Sequence, residues 1–153
     1  MTALEHRVPP PIVALCCALL AWLSMIWDLR LDFDTAVVHA CGTALAVLGA
    51  IVAVRGVRAF QRAATTINPL KPDEASALVE ADVYRFTRNP MYLGMALILL
   101  GWAVGLARPL ALLGPVLFVA WITRFQILPE ERILRLKFGA GYESYCRRVR
   151  RWI

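Results

Sequence analysis

Two short stretches gather most of the residue types in this chain that could do chemistry. The first, YRFTRNPMYLGM (84–95), places Tyr84, Arg85, Arg88, Asn89 and Pro90 at the mouth of an apolar run that also carries Tyr92. Asn89 suits the N-cap of a helix and Pro90 its first position, so a helix is expected to begin here. A helix N-terminus offers free N–H groups and a partial positive charge, which together attract an anion. Arg88 adds a guanidinium fork suited to a carboxylate or phosphate. The second stretch, RFQILPEER (124–132), sets Arg124 in the last turn of another apolar run, followed by the adjacent Glu130 and Glu131. A charge inside an apolar helix is costly and marks a functional candidate. Paired carboxylates accept hydrogen bonds from ribose hydroxyls or stabilise a cationic ligand. The residues alone leave a plainer alternative open: a capped helix with a snorkelling arginine and an interfacial tyrosine.

The elements that must position these residues are read from the apolar runs. The chain has 153 residues, 59% of them hydrophobic, yet 17 are Lys or Arg and the net charge is +6. With a mean hydropathy of +0.60, this is the composition of an all-α integral membrane protein. The basic residues flank apolar runs, where anionic headgroups attract them, and no recognition motif points to nucleic acid. Cys16, Cys17 and Cys41 fall inside apolar runs and Cys146 among arginines; without a CxxC pair, neither a disulfide framework nor a metal site is expected.

Four runs are marked, at about residues 11–27, 36–54, 91–106 and 110–127, each near the roughly 17–25 residues that cross a bilayer. They predict one membrane domain over 1–153, with a polar loop at 55–90 and a polar tail at 128–153. The first run lacks the flanks of a signal peptide and is expected to be retained. The link ARP (107–109) forces the third and fourth helices into an antiparallel hairpin. Gly42, Gly49, Gly94, Gly101 and Gly105 offer small surfaces for close helix contact. The loop after the first run is acidic, whereas the 55–90 segment and the tail are rich in arginine. The positive-inside rule therefore places both basic segments, and both termini, in the cytoplasm, with the chain expected in the cytoplasmic (inner) membrane. The hairpin then returns the two chemical stretches to one face of the membrane.

Within the tail, Ile133, Leu134, Leu136 and Phe138 predict an amphipathic helix on the interface, stopped by GAG at 139–141. Tyr142, Tyr145, Val149 and Trp152 recur beyond it at helical spacing, expected to face lipid, with Arg147 to Arg151 as surface anchors. His39 lies nearer the acidic end of the second run, away from the two stretches, and is expected to be a neutral, hydrogen-bonded side chain. A non-catalytic bundle, such as a small transporter or assembly factor, would be expected to line its midplane with polar groups. Only His39 and a few hydroxyls lie that deep.

Taken together, LVEADVYRFTRNPMYLG (78–94) and EERILRLKFGAGYESYCRRVRRW (130–152) resemble the membrane methyltransferases related to isoprenylcysteine carboxyl methyltransferase and phospholipid methyltransferase. The first fits a pattern L-V-x-x-G-x-Y-x-x-x-R-[HN]-P-x-Y-x-G. The second fits E-E-x-x-L-x-x-x-F-G-x-x-Y-x-x-Y at Glu130, Glu131, Leu134, Phe138, Gly139, Tyr142 and Tyr145. The resemblance covers roughly residue 65 to the C-terminus and implies S-adenosylmethionine-dependent methyl transfer at the cytoplasmic membrane face. It implies cofactor contacts at Leu78, Val79, Tyr84, Asn89, Pro90, Met91, Tyr92 and Glu130. Arg88 would suit the cofactor carboxylate, while Arg124 and Glu131 would face a small or lipid-like acceptor presenting a thiol, carboxylate or amine. Two positions depart from the pattern: Asn89, where many relatives have histidine, and Asp82, where glycine is usual. Prenylcysteine-processing relatives also have more than four spans, which speaks against a prenylated protein as acceptor.

Overall fold

The computed structural model describes residues 5, 7–27, 30–63 and 78–153, and among these the chain is helical without a strand. Helix α1 covers Pro10–Leu23 and ends in a 3₁₀ turn at Ser24–Trp27. Helix α2 covers Thr35–Arg62, begun by Asp34, whose carboxylate accepts from the amides of Ala36 and Val37 at 2.8 and 3.1 Å. A 3₁₀ turn at Asp82–Arg85 precedes α3, Pro90–Gly105. A turn at Pro109–Leu112 leads into α4, Leu113–Ile122; a π turn at Thr123–Ile127 then continues into α5, Leu128–Arg148. Among the described residues three stretches are long and apolar enough to cross a membrane: Pro10–Trp27, Thr35–Arg62 and the apolar part of Pro109–Arg148; α3 is apolar but shorter.

Helix α3 is the centre of the assembly, with α2 on one side and α1 and α4 on the other. Val13 and Cys17 of α1, Tyr92, Ala96 and Leu99 of α3, and Phe118, Ile122 and Ile127 beyond form the main apolar core. The α2–α3 contact is a backbone contact. Gly42, Gly49 and Gly56 recur every seven residues on one stripe of α2, opposite Gly101, Gly94 and Pro90–Met91 of the antiparallel α3. A Cβ placed on Gly49 would lie 2.5 Å from the Gly94 carbonyl oxygen. In membranes, where lipid is as apolar as leucine, such close packing is what holds helices together.

One boundary differs from the sequence reading. The second run, expected to end at 54, continues as helix to Arg62, so the loop expected from 55 starts later and lies partly outside the described residues. Arginine is a good helix former and suits a helix C-terminus, so hydropathy falls there while helicity does not. The break expected in the tail is present: two helical segments within α5 meet at a kink at Gly139, the first residue of GAG, which leaves helical geometry at φ 49. That left-handed conformation is why the second motif has glycine there.

The tail's aromatic face is turned inward. Tyr142, Tyr145 and Val149 are buried against Leu78, Leu134 and Phe138 rather than facing lipid. The Tyr145 hydroxyl donates to the Tyr84 carbonyl at 2.8 Å, a partner that hydrocarbon would not supply. His39 lies on the surface of the α2–α3 pair, in a groove of about 400 Å³ with Gly42, Thr43 and Trp102.

Candidate active site

The residues before α3 are held by the end of the chain. Arg88 donates its backbone N–H to the Arg150 carbonyl at 3.0 Å, and its Nη1 donates to the carbonyls of Cys146 and Val149 at 3.2 and 2.9 Å. Those carbonyls belong to the C-terminal end of α5, the negative end of its dipole, which favours a cation there. Arg88 Nη2 donates to Glu131 at 2.7 Å. Its Nε alone is buried without a partner. Asn89, expected as the side-chain cap of α3, makes no capping bond; its Nδ2 donates to the Arg151 carbonyl at 2.9 Å. Thr87 Oγ1 instead accepts from the Asn89 amide at 3.2 Å and donates to the Arg151 carbonyl at 3.3 Å. The first turn of α3 thus keeps its free N–H groups beside a buried, unpartnered arginine donor.

The two glutamates sit just past the apolar part of the α4–α5 stretch, and their environments are opposite. Pro129 has no N–H for the Phe125 carbonyl and its ring crowds that carbonyl, so the preceding turn widens into the π turn. This presents Gln126 and Glu130 together: Gln126 Nε2 donates to Glu130 Oε1 at 2.9 Å, and the Tyr92 hydroxyl donates to the same oxygen at 2.6 Å. Burial pushes the Glu130 carboxyl up to about 7, the bonds from Tyr92 and Gln126 pulling the other way. Glu131 is 3% exposed and faces arginines. Arg151 Nε and Nη2 donate to its two oxygens at 2.9 and 2.8 Å, Arg88 binds Oε1, and Arg135 lies 3.9 Å away. Burial alone would raise Glu131, but the bonds from Arg151 and Arg88 outweigh it and hold the carboxyl below its ordinary value.

Arg88, Tyr92, Glu130 and Glu131, singled out from sequence, therefore meet. Tyr84 borders them: burial, then the Tyr145 phenol and the Glu130 carboxylate, push its phenol well above the ordinary value. Val79 and Tyr84 pack with Ala59 and Phe60 of α2, Leu78 packs under Tyr142 and Tyr145, and Pro90 and Met91 abut Gly56. Arg124 stands apart, half exposed over the Phe125 ring and 3.7 Å from Glu5, which also binds Arg132 at 2.9 Å. Sequence reasoning missed Thr87, Gln126 and Arg151. Gln126 carried one signal, its place one helical turn before Glu130; a basic residue in an arginine run gave none.

Asp82 occupies the pattern's glycine position at φ 56. It receives Arg55 Nε and Nη2 at 2.9 and 2.6 Å, tying the end of α2 to the segment before α3. Arg55 is 57% exposed, so this pair is worth only about 0–1 kcal/mol, comparable to the left-handed backbone cost of about 1 kcal/mol. Asp82→Gly is therefore expected to leave the unfolding midpoint nearly unchanged. Asp82→Ala, which loses the pair and keeps the strain, should destabilise by about 0–1 kcal/mol and stand about 1 kcal/mol below Asp82→Gly. Equal stability of the two variants in denaturant titration would contradict this account.

A family model described as phospholipid methyltransferase matches residues 37–141, from α2 into α5. An uncharacterized protein of Haemophilus influenzae is 48% identical over 63 residues, 41% of this chain and all of that protein. A probable protein-S-isoprenylcysteine O-methyltransferase of Oryza sativa is 30% identical over 111 residues, 71% of this chain and 56% of the rice protein. Protein-S-isoprenylcysteine O-methyltransferase B of Arabidopsis thaliana is 29% identical over the same length, 55% of it. The chain thus matches just over half the length of these plant relatives. No solved structure matches it. Matched by the family model over most of its length, with both polar stretches inside or beside that match, the chain belongs to the phospholipid methyltransferase family.

Proposed function

We propose that this protein is an S-adenosylmethionine-dependent methyltransferase, embedded by four helices with both termini in the cytoplasm and working at that membrane face. The observation that carries the proposal is the meeting of the Arg88–α3 N-terminus with the Glu130–Glu131 pair, two stretches about forty residues apart in sequence. Bound S-adenosylmethionine would supply an electrophilic methyl group on a sulfonium, which the acceptor would attack in line as the neutral thioether leaves. Such a reaction needs alignment and exclusion of water more than acid–base machinery.

The residues present suit that cofactor. The unpartnered Arg88 Nε and the free amides of the first α3 turn are donors for its carboxylate. Glu130, contacted by neutral groups, has acceptor capacity for its ribose hydroxyls or amino group. Tyr84 and Tyr92, with Leu78, Val79, Pro90 and Met91 around them, offer apolar and aromatic surface for the adenine. Asn89 would act by fixing the tail at the helix mouth. Both oxygens of Glu131 are taken by arginines, so we assign it to orienting Arg88 rather than to the acceptor. Arg124, on the exposed side of the π turn, is the residue we assign to acceptor contact. The acceptor is a small or lipid-like molecule carrying a thiol, carboxylate or amine.

Calorimetric titration of S-adenosylmethionine into the purified protein tests this reading. Binding in the micromolar to millimolar range is expected, and Glu130→Ala should weaken it about tenfold. Because the Glu130 carboxyl is raised to about 7, affinity should climb from about pH 6 to about pH 8 as the carboxylate forms. Glu130→Gln should flatten that rise. A folded wild-type protein that binds no cofactor would sink the reading. Transfer of labelled methyl into lipid, thiol and carboxylate pools would then identify the acceptor.

A further inference from the structure

The last five residues form a third side of the cluster. Trp152 anchors them: its Nε1 donates to Thr123 Oγ1 at 3.2 Å, and its ring packs on the main core. One backbone bond from Arg88 to the Arg150 carbonyl, and side-chain bonds from Thr87 and Asn89 to the Arg151 carbonyl, hold the segment independently of the Arg151 side chain. That side chain is left to do one thing, which is to grip both oxygens of Glu131. Glu131 in turn grips Arg88 Nη2, and the carbonyls of Cys146 and Val149 take Nη1. The guanidinium of Arg88 is thereby fixed on one edge, with Nε free on the other. Arg147 and Arg150, on the same tail, are exposed as membrane-surface anchors would be, and Arg148 pairs with Glu80. Arg151 departs from them.

We infer that Arg151 is a positioning residue of the cofactor site: through Glu131 it sets the orientation in which Arg88 and the first turn of α3 meet the cofactor carboxylate. The inference rests on the methyltransferase reading above and gives the C-terminal segment a part in it. A bidentate fork fixes the carboxylate plane, which a single ammonium cannot do. Without it, Glu131 can rotate between Arg88 and Arg135, and Arg88 loses its fixed edge. The effect should appear in cofactor affinity more than in folding, because the tail keeps its backbone bonds and its tryptophan anchor.

The test compares Arg151→Met, Arg151→Lys and Trp152→Phe by S-adenosylmethionine titration and by thermal unfolding of the same preparations. Arg151→Met is expected to bind about tenfold more weakly, with Arg151→Lys recovering part of the loss. In turnover assays the deficit should fall on the KM for the cofactor rather than on kcat. Trp152→Phe, which loosens the same segment through its anchor, should lower the unfolding temperature while keeping affinity within about twofold. Folded Arg151→Met with wild-type affinity would overturn the inference. So would an equal affinity loss in Trp152→Phe, which would assign the effect to the tail as a whole. Wild-type protein without cofactor affinity would instead bring down the methyltransferase reading, and this inference with it.

Discussion

Glu131→Gln is expected to destabilise the protein by about 3–5 kcal/mol at neutral pH, the range for breaking a buried ion pair from one side. Glu130→Gln, one residue earlier, should leave stability unchanged or raise it. The two carboxylates share a helical turn, but their partners differ. Glu131 neutralises Arg88, which is 10% exposed, so its removal strands a buried cation; Arg151, 35% exposed, can turn to water and softens the loss. Glu130 faces a phenol and an amide, and glutamine keeps an oxygen for both of them. The pH dependence gives the sign independently. Glu131 has a lowered native value, so its stabilising contribution is present above the ordinary 4.5 and is lost as pH falls through the native value. Glu130 has a raised native value, so it favours the native state most below 4.5 and that advantage is lost as pH rises to about 7. Unfolding midpoints across pH should therefore fall on acidification for a reason that Glu131→Gln removes. Equal effects of the two substitutions at neutral pH would contradict the opposed environments.

Much of this was legible in the chain because hydrocarbon imposes simple rules. An apolar run must become a helix, a three-residue link must become a hairpin, and Pro90 at a run's edge reads as a helix start. The meeting of Arg88 with the glutamates followed from that hairpin and from the family motifs. What was not legible is where a side chain spends its hydrogen bonds. Asn89 reads as a cap, but Thr87 supplies the local bond and Asn89 reaches the tail, sixty-two residues on. Arg151 reads as one more basic residue in RRVRRW, since nothing local distinguishes the arginine that folds inward from those that face the headgroups. The departure at Asp82 became interpretable only with its φ: glycine is usual there for the backbone, and aspartate takes the same conformation while gaining Arg55. Helix ends past the apolar window were lost for a different reason. Hydropathy measures where a chain is dry, and α2 stays helical after it leaves the dry region.

The largest structural effect is expected at Gly94. A valine there would place its Cβ 2.5 Å from the Gly49 carbonyl oxygen and 2.7 Å from the Ala53 Cβ. Neither neighbour is the end of a flexible side chain, so α2 and α3 must move apart. Helix α2 has its main contact on α3, and separating them removes packing along the whole glycine stripe, beyond the local clash. Gly94→Val should therefore cost more than about 3 kcal/mol, the upper end of ordinary overpacking, and yield little monodisperse protein in detergent. The site would go with it, because Gly56 seats Pro90 and Met91, and Arg55 holds Asp82. Gly105 provides the contrast within the same helix. It completes a GxxxG with Gly101, yet a Cβ there meets nothing within 4 Å, whereas one at Gly101 would lie 2.9 Å from the Ala46 nitrogen. Gly105→Val should therefore stay within about 1 kcal/mol of the parent, and Gly101→Val should resemble Gly94→Val. Unfolding in a denaturing detergent titration, followed by helical signal, separates the three. Comparable damage at all three positions would mean that helix flexibility, rather than backbone approach between α2 and α3, is what these glycines provide.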